Sequence, residues 1–184
     1  MAGTSTPEPV KYFVALLWAN AAALPEVYAR LVERFGAIDF EGPDRAFDLT
    51  NYYEAEMGAN LFRRLVAFES LRGPEELVEA KLACNAIEDA LATQQGRCVN
   101  LDAGYLDHNK IVLASAKGAG QKIYLRGGIY ADLTARYAHG RYQPFPWTFP
   151  DFKEGRYDAE LGELRAFYLR QIKDWRKKKS RSSC

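Results

Sequence analysis

Metal-ligating and crosslinking residues are scarce in this sequence. Its 184 residues include three cysteines, Cys84, Cys98 and Cys184, and two histidines, His108 and His139. The cysteines are odd in number and lack the paired spacing of a zinc ligand set, which argues against both a disulfide framework and a Cys/His zinc site. We expect reduced thiols, which are typical of a cytoplasmic protein.

Long apolar runs and an excess of charge are missing as well. No run approaches the roughly 20 apolar residues that span a bilayer, and residues 1–9 lack the charged and apolar regions of a signal peptide. The net charge is +1, but five of the 25 basic residues lie between Arg176 and Arg181. Without them, 20 basic residues face 24 acidic ones, a charge of −4. We therefore expect no membrane partner, and a nucleic-acid partner is disfavoured because such proteins usually carry a basic face on their folded body.

The first half of the chain alternates strand and helix signals. Lys11–Trp18 is short and nearly all apolar, which predicts a central strand buried on both faces. Pro25 and Pro74 stand where a first helical turn tolerates proline, so a helix is expected after each. The order β-α-β-β-α-β is the ferredoxin-like pattern, and we expect such a core from residue 10 to about 102. The elements are strand 11–18, helix 25–35, strand 40–49, strand 62–69, helix 74–91 and strand 97–101.

The rest of the chain predicts additions to this α+β core. Strands are expected at 121–125 and at 129–137, where apolar and polar residues alternate. Three prolines within 144–150 exclude regular structure and indicate an aromatic loop over the sheet. A final helix is expected from Asp158 to about Lys178. The predicted organisation is a flexible leader at 1–9, a single α+β domain at 10–178 and a basic flexible tail at 179–184.

Two blocks, residues 47–58 and 100–117, carry more polar groups than packing requires. If the first block is extended, Glu54 and Glu56 share a face and could bind Mg²⁺ together with Asp48, because this ion prefers oxygen ligands. The plainer explanation is that they are solvated loop acids or partners of nearby arginines.

The second block predicts a ligand site around Asp102. This residue is expected to follow a strand and precede a glycine turn at Gly104, where backbone can approach a ligand closely. The plainer explanation is a turn aspartate that bonds its own backbone. The candidate residues are, for catalysis, Asp102, Glu54 and Glu56; for substrate binding, Asn100, Tyr105, Lys110, Lys117, Arg126 and Tyr130; and for a metal, Asp48, Glu54 and Glu56. We expect one common cleft to be lined by Asp48, Glu54, Glu56, Asn100, Asp102, Tyr105 and Lys110.

These blocks and four further motifs resemble domain-of-unknown-function family 4416 over nearly the whole chain. The motifs are Phe47-Asp48, Tyr52-Tyr53-Glu54, Glu56-Met57-Gly58, Asn100-Leu101-Asp102, Gly104-Tyr105-Leu106, 110–117, Ile123-Tyr124-Leu125, Gly128-Ile129-Tyr130-Ala131, Pro146-Trp147-Thr148 and Pro150-Asp151. Gln121 departs from a histidine of the family pattern, which argues against a general base there, and Ala103 departs from a proline. The resemblance implies a bacterial cytoplasmic protein of about this length and implies no activity.

Three functions fit these observations. The first is an enzyme for a small phosphorylated or otherwise anionic substrate, with the carboxylates supplying acid–base or Mg²⁺-assisted chemistry and the lysines balancing charge. The second is a non-catalytic ligand-binding or regulatory module. The third is a nucleic-acid accessory protein that uses the basic tail and the aromatic residues. A concave polar pocket with converging carboxylates favours the first and a flat surface favours the second; we favour the enzyme.

Overall fold

One antiparallel sheet organises the chain in the computed structural model, which describes residues 3–94 and 96–182, with only the backbone of Ser182. Its strands are β1 (Lys11–Trp18), β2 (Ile38–Glu41), β3 (Arg45–Ala46), β4 (Phe62–Phe68), β5 (Val99–Leu106), β6 (Lys110–Ser115), β7 (Ile123–Arg126), β8 (Ile129–Ala138) and β9 (Arg141–Pro144). The α-helices in these ranges are α1 (Leu24–Phe35), α2 (Glu54–Met57), α3 (Leu77–Leu91), α4 (Pro150–Lys153) and α5 (Asp158–Ser182).

Strand β1 lies at the centre of this sheet, at the residues predicted for it. The strand order is β2-β4-β1-β5-β6-β8-β7, with β3 added to β4 and β9 added to β8. All eight residues of β1 are buried. Alternate residues serve two cores, because successive side chains of a strand point to opposite faces: Val14 and Leu16 belong to one, and Phe13 and Ala15 to the other.

Helices cover both faces of the sheet. The first core lies beneath α1 and α3, which bury Leu31 and Cys84 there. Pro25 lies in the first turn of α1, and Gly36 ends that helix with φ of 90°. The second core lies beneath α5, which buries Leu164 and Tyr168. The predicted α+β class is confirmed as a large antiparallel sheet with helices packed on it.

Two predicted strands differ from the structure. The irregular strand expected at 40–49 is two short strands, β2 and β3, both paired with β4. The strand expected at 97–101 runs from Val99 to Leu106, so Asp102 lies within it and the turn at Gly104 was wrong. A Cβ atom on Gly104 would lie 2.7 Å from the Val112 carbonyl oxygen. Glycine is therefore needed there for the close approach of β6, not for a turn.

The C-terminal third follows the prediction more closely. Strand β8 spans the expected segment, and His139 and Gly140, both with positive φ, turn it into β9. The predicted aromatic loop is shorter than 144–150, because Pro144 ends β9 and Pro150 begins α4, where a first helical turn tolerates proline. Helix α5 continues to Ser182, so positions 179–182 of the predicted flexible tail are helical, while residues 1–2 and 183–184 lie outside the described part. No helix in the described part is long and apolar enough to cross a bilayer.

The two described cysteines differ in exposure, which makes their reactivity a test of the α3 packing. Cys84 is fully buried under the sheet, and this burial raises the pKa of its thiol to about 12. Cys98 is only half-buried. Because the thiolate is the reactive form, we expect iodoacetamide at pH 8 to modify Cys98 and spare Cys84, as read by peptide mass mapping. Equal labelling of both in the native protein would contradict the packing of α3.

Candidate functional site

The sheet opens where β5 and β6 diverge. The two strands pair over Gly104–Leu106 and Ile111–Leu113, near their hairpin connection. The preceding half of β5 pairs with β1 on its other side. A cleft of about 520 Å³ lies in the opening, within the roughly 300–1,000 Å³ of ordinary small-molecule sites. It is concave, and most of its accessible surface is apolar, with charged and polar side chains set among the lining residues. Three elements contribute its walls: β5, α3 and the segment from Ala114 to Lys122.

Asp102 occupies the β5 wall and is held from two sides. Its Oδ2 accepts a hydrogen bond from the Asn100 side-chain amide at 3.0 Å and lies 3.5 Å from the Arg63 guanidinium. Its Oδ1 lies 3.6 Å from Lys81 Nζ. The Asp102 side chain keeps 18% of its exposure, so the carboxylate is both fixed and open to the cleft.

Helix α3 places a second charged pair against the backbone of β5. Glu88 accepts hydrogen bonds from the Leu101 amide at 2.6 Å and from Arg97 at 3.0 Å. Lys81 donates to the Leu101 carbonyl at 2.9 Å. Glu88 and Lys81 thus bond the N–H and C=O of Leu101, which a neighbouring strand would otherwise bond. This part of β5 can therefore remain unpaired with β6 without leaving buried polar groups unbonded. Burial raises the pKa of the Glu88 carboxyl, against the lowering effect of Lys81 and of its hydrogen bonds.

The opposite wall carries two lysines. Lys122 donates to the Ser115 hydroxyl at 2.9 Å and lies 3.8 Å from Asp132. Lys117 lies over the ring of Tyr52, 4.4 Å from its centroid, and also bonds its hydroxyl. Phe149 of the aromatic loop adds an exposed ring at the rim. Both walls are therefore mixed in charge: Lys81 and Arg97 pair with the carboxylates on one side, and Asp132 pairs with Lys122 on the other. Asp102 lies across the cleft from Lys117 and Lys122, and aromatic rings lie at the rim.

A buried ion pair fixes the β4 side of the site. Arg63 donates to Asp151 of α4 at 2.5 Å, and its guanidinium packs on the Phe47 ring at 4.4 Å. Tyr157 also donates to Asp151, at 3.0 Å. Burial acts to lower the pKa of Arg63, but the charges of Asp151 and Asp102 outweigh it, so that the pKa is raised. Arg63 thus links Asp102 to the segment that follows Phe149.

The predicted carboxylates of the first block lie outside the cleft lining. Glu54 and Glu56 belong to the short helix α2, so the extended conformation that would align them is not formed. Glu56 accepts two hydrogen bonds of 2.6 Å from Arg97, and Asp48 pairs with Arg156 at 2.6 Å. Within residues 3–94 and 96–182, no three His, Cys, Asp or Glu residues are arranged to hold a metal ion.

Of the predicted binding residues, the structure brings Asn100 and Lys117 to the cleft together with Asp102. Tyr105 is buried in the core beneath α1 and α3, against Tyr12. The other three make contacts elsewhere: Lys110 with Asp107, Arg126 with Glu79, and Tyr130 with Tyr124. The two dense blocks do meet, because Tyr52 and Tyr53 of the first line the same cleft as Asn100 and Lys117 of the second.

The main residues that the sequence interpretation missed lie on α3. Leu82 of this helix is exposed, whereas its buried face carries Lys81 and Glu88. These charges are seven residues apart, two helical turns, and thus lie on one face. An oppositely charged pair at that spacing beside buried Cys84 was the signal available for this wall.

Comparison with known proteins identifies a family for this chain. Searches of curated proteins and of solved structures returned no match. The family model described as Domain of unknown function (DUF4416) matches residues 8–168 of the 184. Because that match covers most of the chain, including all of the cleft walls, the protein belongs to the DUF4416 family.

Proposed function

We propose that the protein is an enzyme for a small anionic substrate, bound in the cleft between β5 and β6. This proposal rests on one observation: Asp102 lies on one side of the cleft, and Lys117 and Lys122 lie on the other. Lysines bind phosphate and carboxylate groups as point charges. A carboxylate that is fixed in place yet partly exposed can accept and return a proton.

The proposed division of labour follows from the contacts. Lys117 and Lys122 neutralise the anionic group of the substrate, and Ser115 and Asp132 hold Lys122 in position. Asp102 exchanges a proton with the reacting group, and Asn100 orients the Asp102 carboxylate. The exposed rings of Tyr52 and Phe149 shield the bound substrate from water. Acid–base chemistry is preferred over direct metal ligation by this chain because the cleft carboxylates already face cationic side chains.

The topology of the core and the cellular location of the protein are also part of this proposal. We propose that residues 10 to about 102 form a ferredoxin-like unit, supported by the order β2-β4-β1-β5 with α1 and α3 on one face. We also propose a cytoplasmic location, because Cys84 and Cys98 are free thiols, as expected in a reducing compartment.

The test is a thermal-shift screen of small phosphates and carboxylates, followed by NMR detection of substrate conversion. A compound at 100 times its dissociation constant stabilises the folded protein by about 2.7 kcal/mol. We expect Lys117→Ala to weaken the binding of such a compound about tenfold, and the exposed, remote Lys173→Ala to leave it unchanged. Compounds that shift the wild type and Lys117→Ala equally would contradict the proposed anion wall.

Asp102→Asn separates an enzyme from a binding module. The substitution removes the proton-accepting group but keeps a side chain able to bond Arg63. We expect conversion of the bound compound to fall by about 10²–10⁴-fold, with the ligand-induced thermal shift retained. Asp89→Asn, at the exposed rim of the same cleft, is the matched charge control. Binding by the wild type without conversion of any bound compound would favour a regulatory module.

A further inference from the structure

Two buried lysines in this protein have different surroundings. Lys11, completely buried, donates to the Asp39 carboxylate at 2.8 Å, to the Phe68 carbonyl at 2.9 Å and to Gln171 at 3.1 Å. These partners account for all three N–H donors of its ammonium group. Lys11 is therefore saturated, and its role is to tie β1 to α5 and β2.

Lys81 is almost as buried, at 6% exposure, but it lines the cleft and is not saturated. Among the described residues, the Leu101 carbonyl is its acceptor, at 2.9 Å. The carboxylates of Asp102 and Glu88 are its charge partners, but at 3.6 and 3.8 Å they lie beyond ordinary hydrogen-bond distance. The amine thus combines burial, two neighbouring carboxylates and access to a substrate.

We propose that Lys81 forms an imine with the substrate, which is therefore a small anionic aldehyde or ketone. This inference rests on the proposed function, since the anionic group of the substrate would be held by Lys117 and Lys122 while its carbonyl carbon reaches Lys81. Lysine amines form such adducts with carbonyl compounds as covalent intermediates.

The proton balance of the step uses Asp102. The ammonium of Lys81 gives one proton to the Asp102 carboxylate, and the free amine attacks the carbonyl carbon. The carbon–nitrogen bond forms as the carbonyl π electrons move to oxygen. After transfer of an amine proton to that oxygen, the acid form of Asp102 protonates the resulting hydroxyl, which leaves as water. The products are a protonated imine, water and the original carboxylate.

The nitrogen of Lys81 carries one positive charge both before and after this step. The neighbouring carboxylates can therefore stabilise the starting state and the product alike. The cation before the reaction is an ammonium and the cation after it is a protonated imine, so Asp102 and Glu88 stabilise both. No oxidant, reductant or other co-reactant is needed. The nearest carboxylate has to take up a proton only while the amine is free, and its Oδ1 lies 3.6 Å from Nζ.

Borohydride trapping tests this proposal directly. The wild-type protein is incubated with pyruvate, glyoxylate or dihydroxyacetone phosphate in the presence of sodium borohydride and then digested for peptide mass mapping. Reduction of an imine leaves the mass of the probe less one oxygen atom. We expect this gain at Lys81 to exceed that at saturated Lys11 and at exposed Lys173 by about tenfold or more for at least one probe. Labelling spread evenly over exposed lysines, or none at Lys81, would overturn the proposal.

Two variants keep the result interpretable. Lys81→Arg retains a cation able to bond the Leu101 carbonyl but cannot form an imine, so it should fold and lose the adduct. Lys173→Met should keep the adduct at Lys81 unchanged. Thermal shifts with the same probes, without borohydride, separate the two proposals. A shift without an adduct overturns the imine and leaves the anion site standing, whereas the absence of both effects for every probe counts against both.

Discussion

Replacing Asp151 with alanine is expected to lower the free energy of unfolding by about 3–5 kcal/mol, because it strands a buried charge. Arg63 and Asp151 are both at least 97% buried as side chains and lie 2.5 Å apart. The Arg63 guanidinium stays charged when this partner is lost, because arginine is not deprotonated in proteins. Asp102, at 3.5 Å, is too distant to replace that hydrogen bond fully. Urea denaturation of wild type and variant measures the difference.

The control is a second aspartate–arginine pair at the surface. Asp48 pairs with Arg156 at 2.6 Å, but 64% of its side chain is exposed. Asp48→Ala should therefore cost about 1 kcal/mol or less. The double variant Arg63→Met, Asp151→Ala removes both buried charges and should be less destabilised than the sum of the single variants. Equal, small losses for Asp151→Ala and Asp48→Ala would show that the buried pair does not support the fold.

Local signals explain why much of the fold could be predicted. The apolar run Lys11–Trp18 is shielded from water only in a strand whose sheet is covered on both faces, and the structure buries all of it. The proline at position 25 and the glycine at position 36 bound α1 through backbone preferences that act within a few residues. The turn at His139-Gly140 is equally local. Such features depend little on the remainder of the chain.

The candidate site depends on distant parts of the chain, and for that reason only part of it could be predicted. Asp102 and Asn100 were identified by polarity alone, but the cleft exists because the part of β5 before Gly104 does not pair with β6. That separation is allowed by Lys81 and Glu88, which bond the β5 backbone from a different element. No local pattern around Asp102 reports this arrangement. Glu54 and Glu56 were misjudged because their conformation, a single helical turn, differs from the extended segment assumed for them.

Deleting the chain from Ala166 onward is expected to abolish cooperative folding. The deletion removes Tyr168 and Ile172, which are 1% and 2% exposed in the core beneath α5. Loss of a buried aromatic side chain costs about 3–5 kcal/mol and loss of a buried isoleucine about 2–5 kcal/mol. It also removes Gln171, which bonds both Lys11 and Asp39. The combined loss, roughly 5–10 kcal/mol, is comparable with the roughly 5–15 kcal/mol that stabilises a typical domain.

A shorter deletion, from Lys177 onward, separates this packing from the effect of truncation itself. It keeps Ile172, the partly buried Trp175 and the contact between Arg176 and Glu8, and it removes the exposed basic end of α5. Because these side chains lie at the surface, the change in stability should stay within about 0.5 kcal/mol. Circular dichroism melting of both deletions is the measurement.

A sharp transition at the wild-type temperature for the longer deletion would mean that α5 does not stabilise the second core. Helix α5 would then be free to bind a partner. Loss of the transition in the longer deletion alone would establish that residues 166–176 of α5 close the face of the sheet opposite α1 and α3.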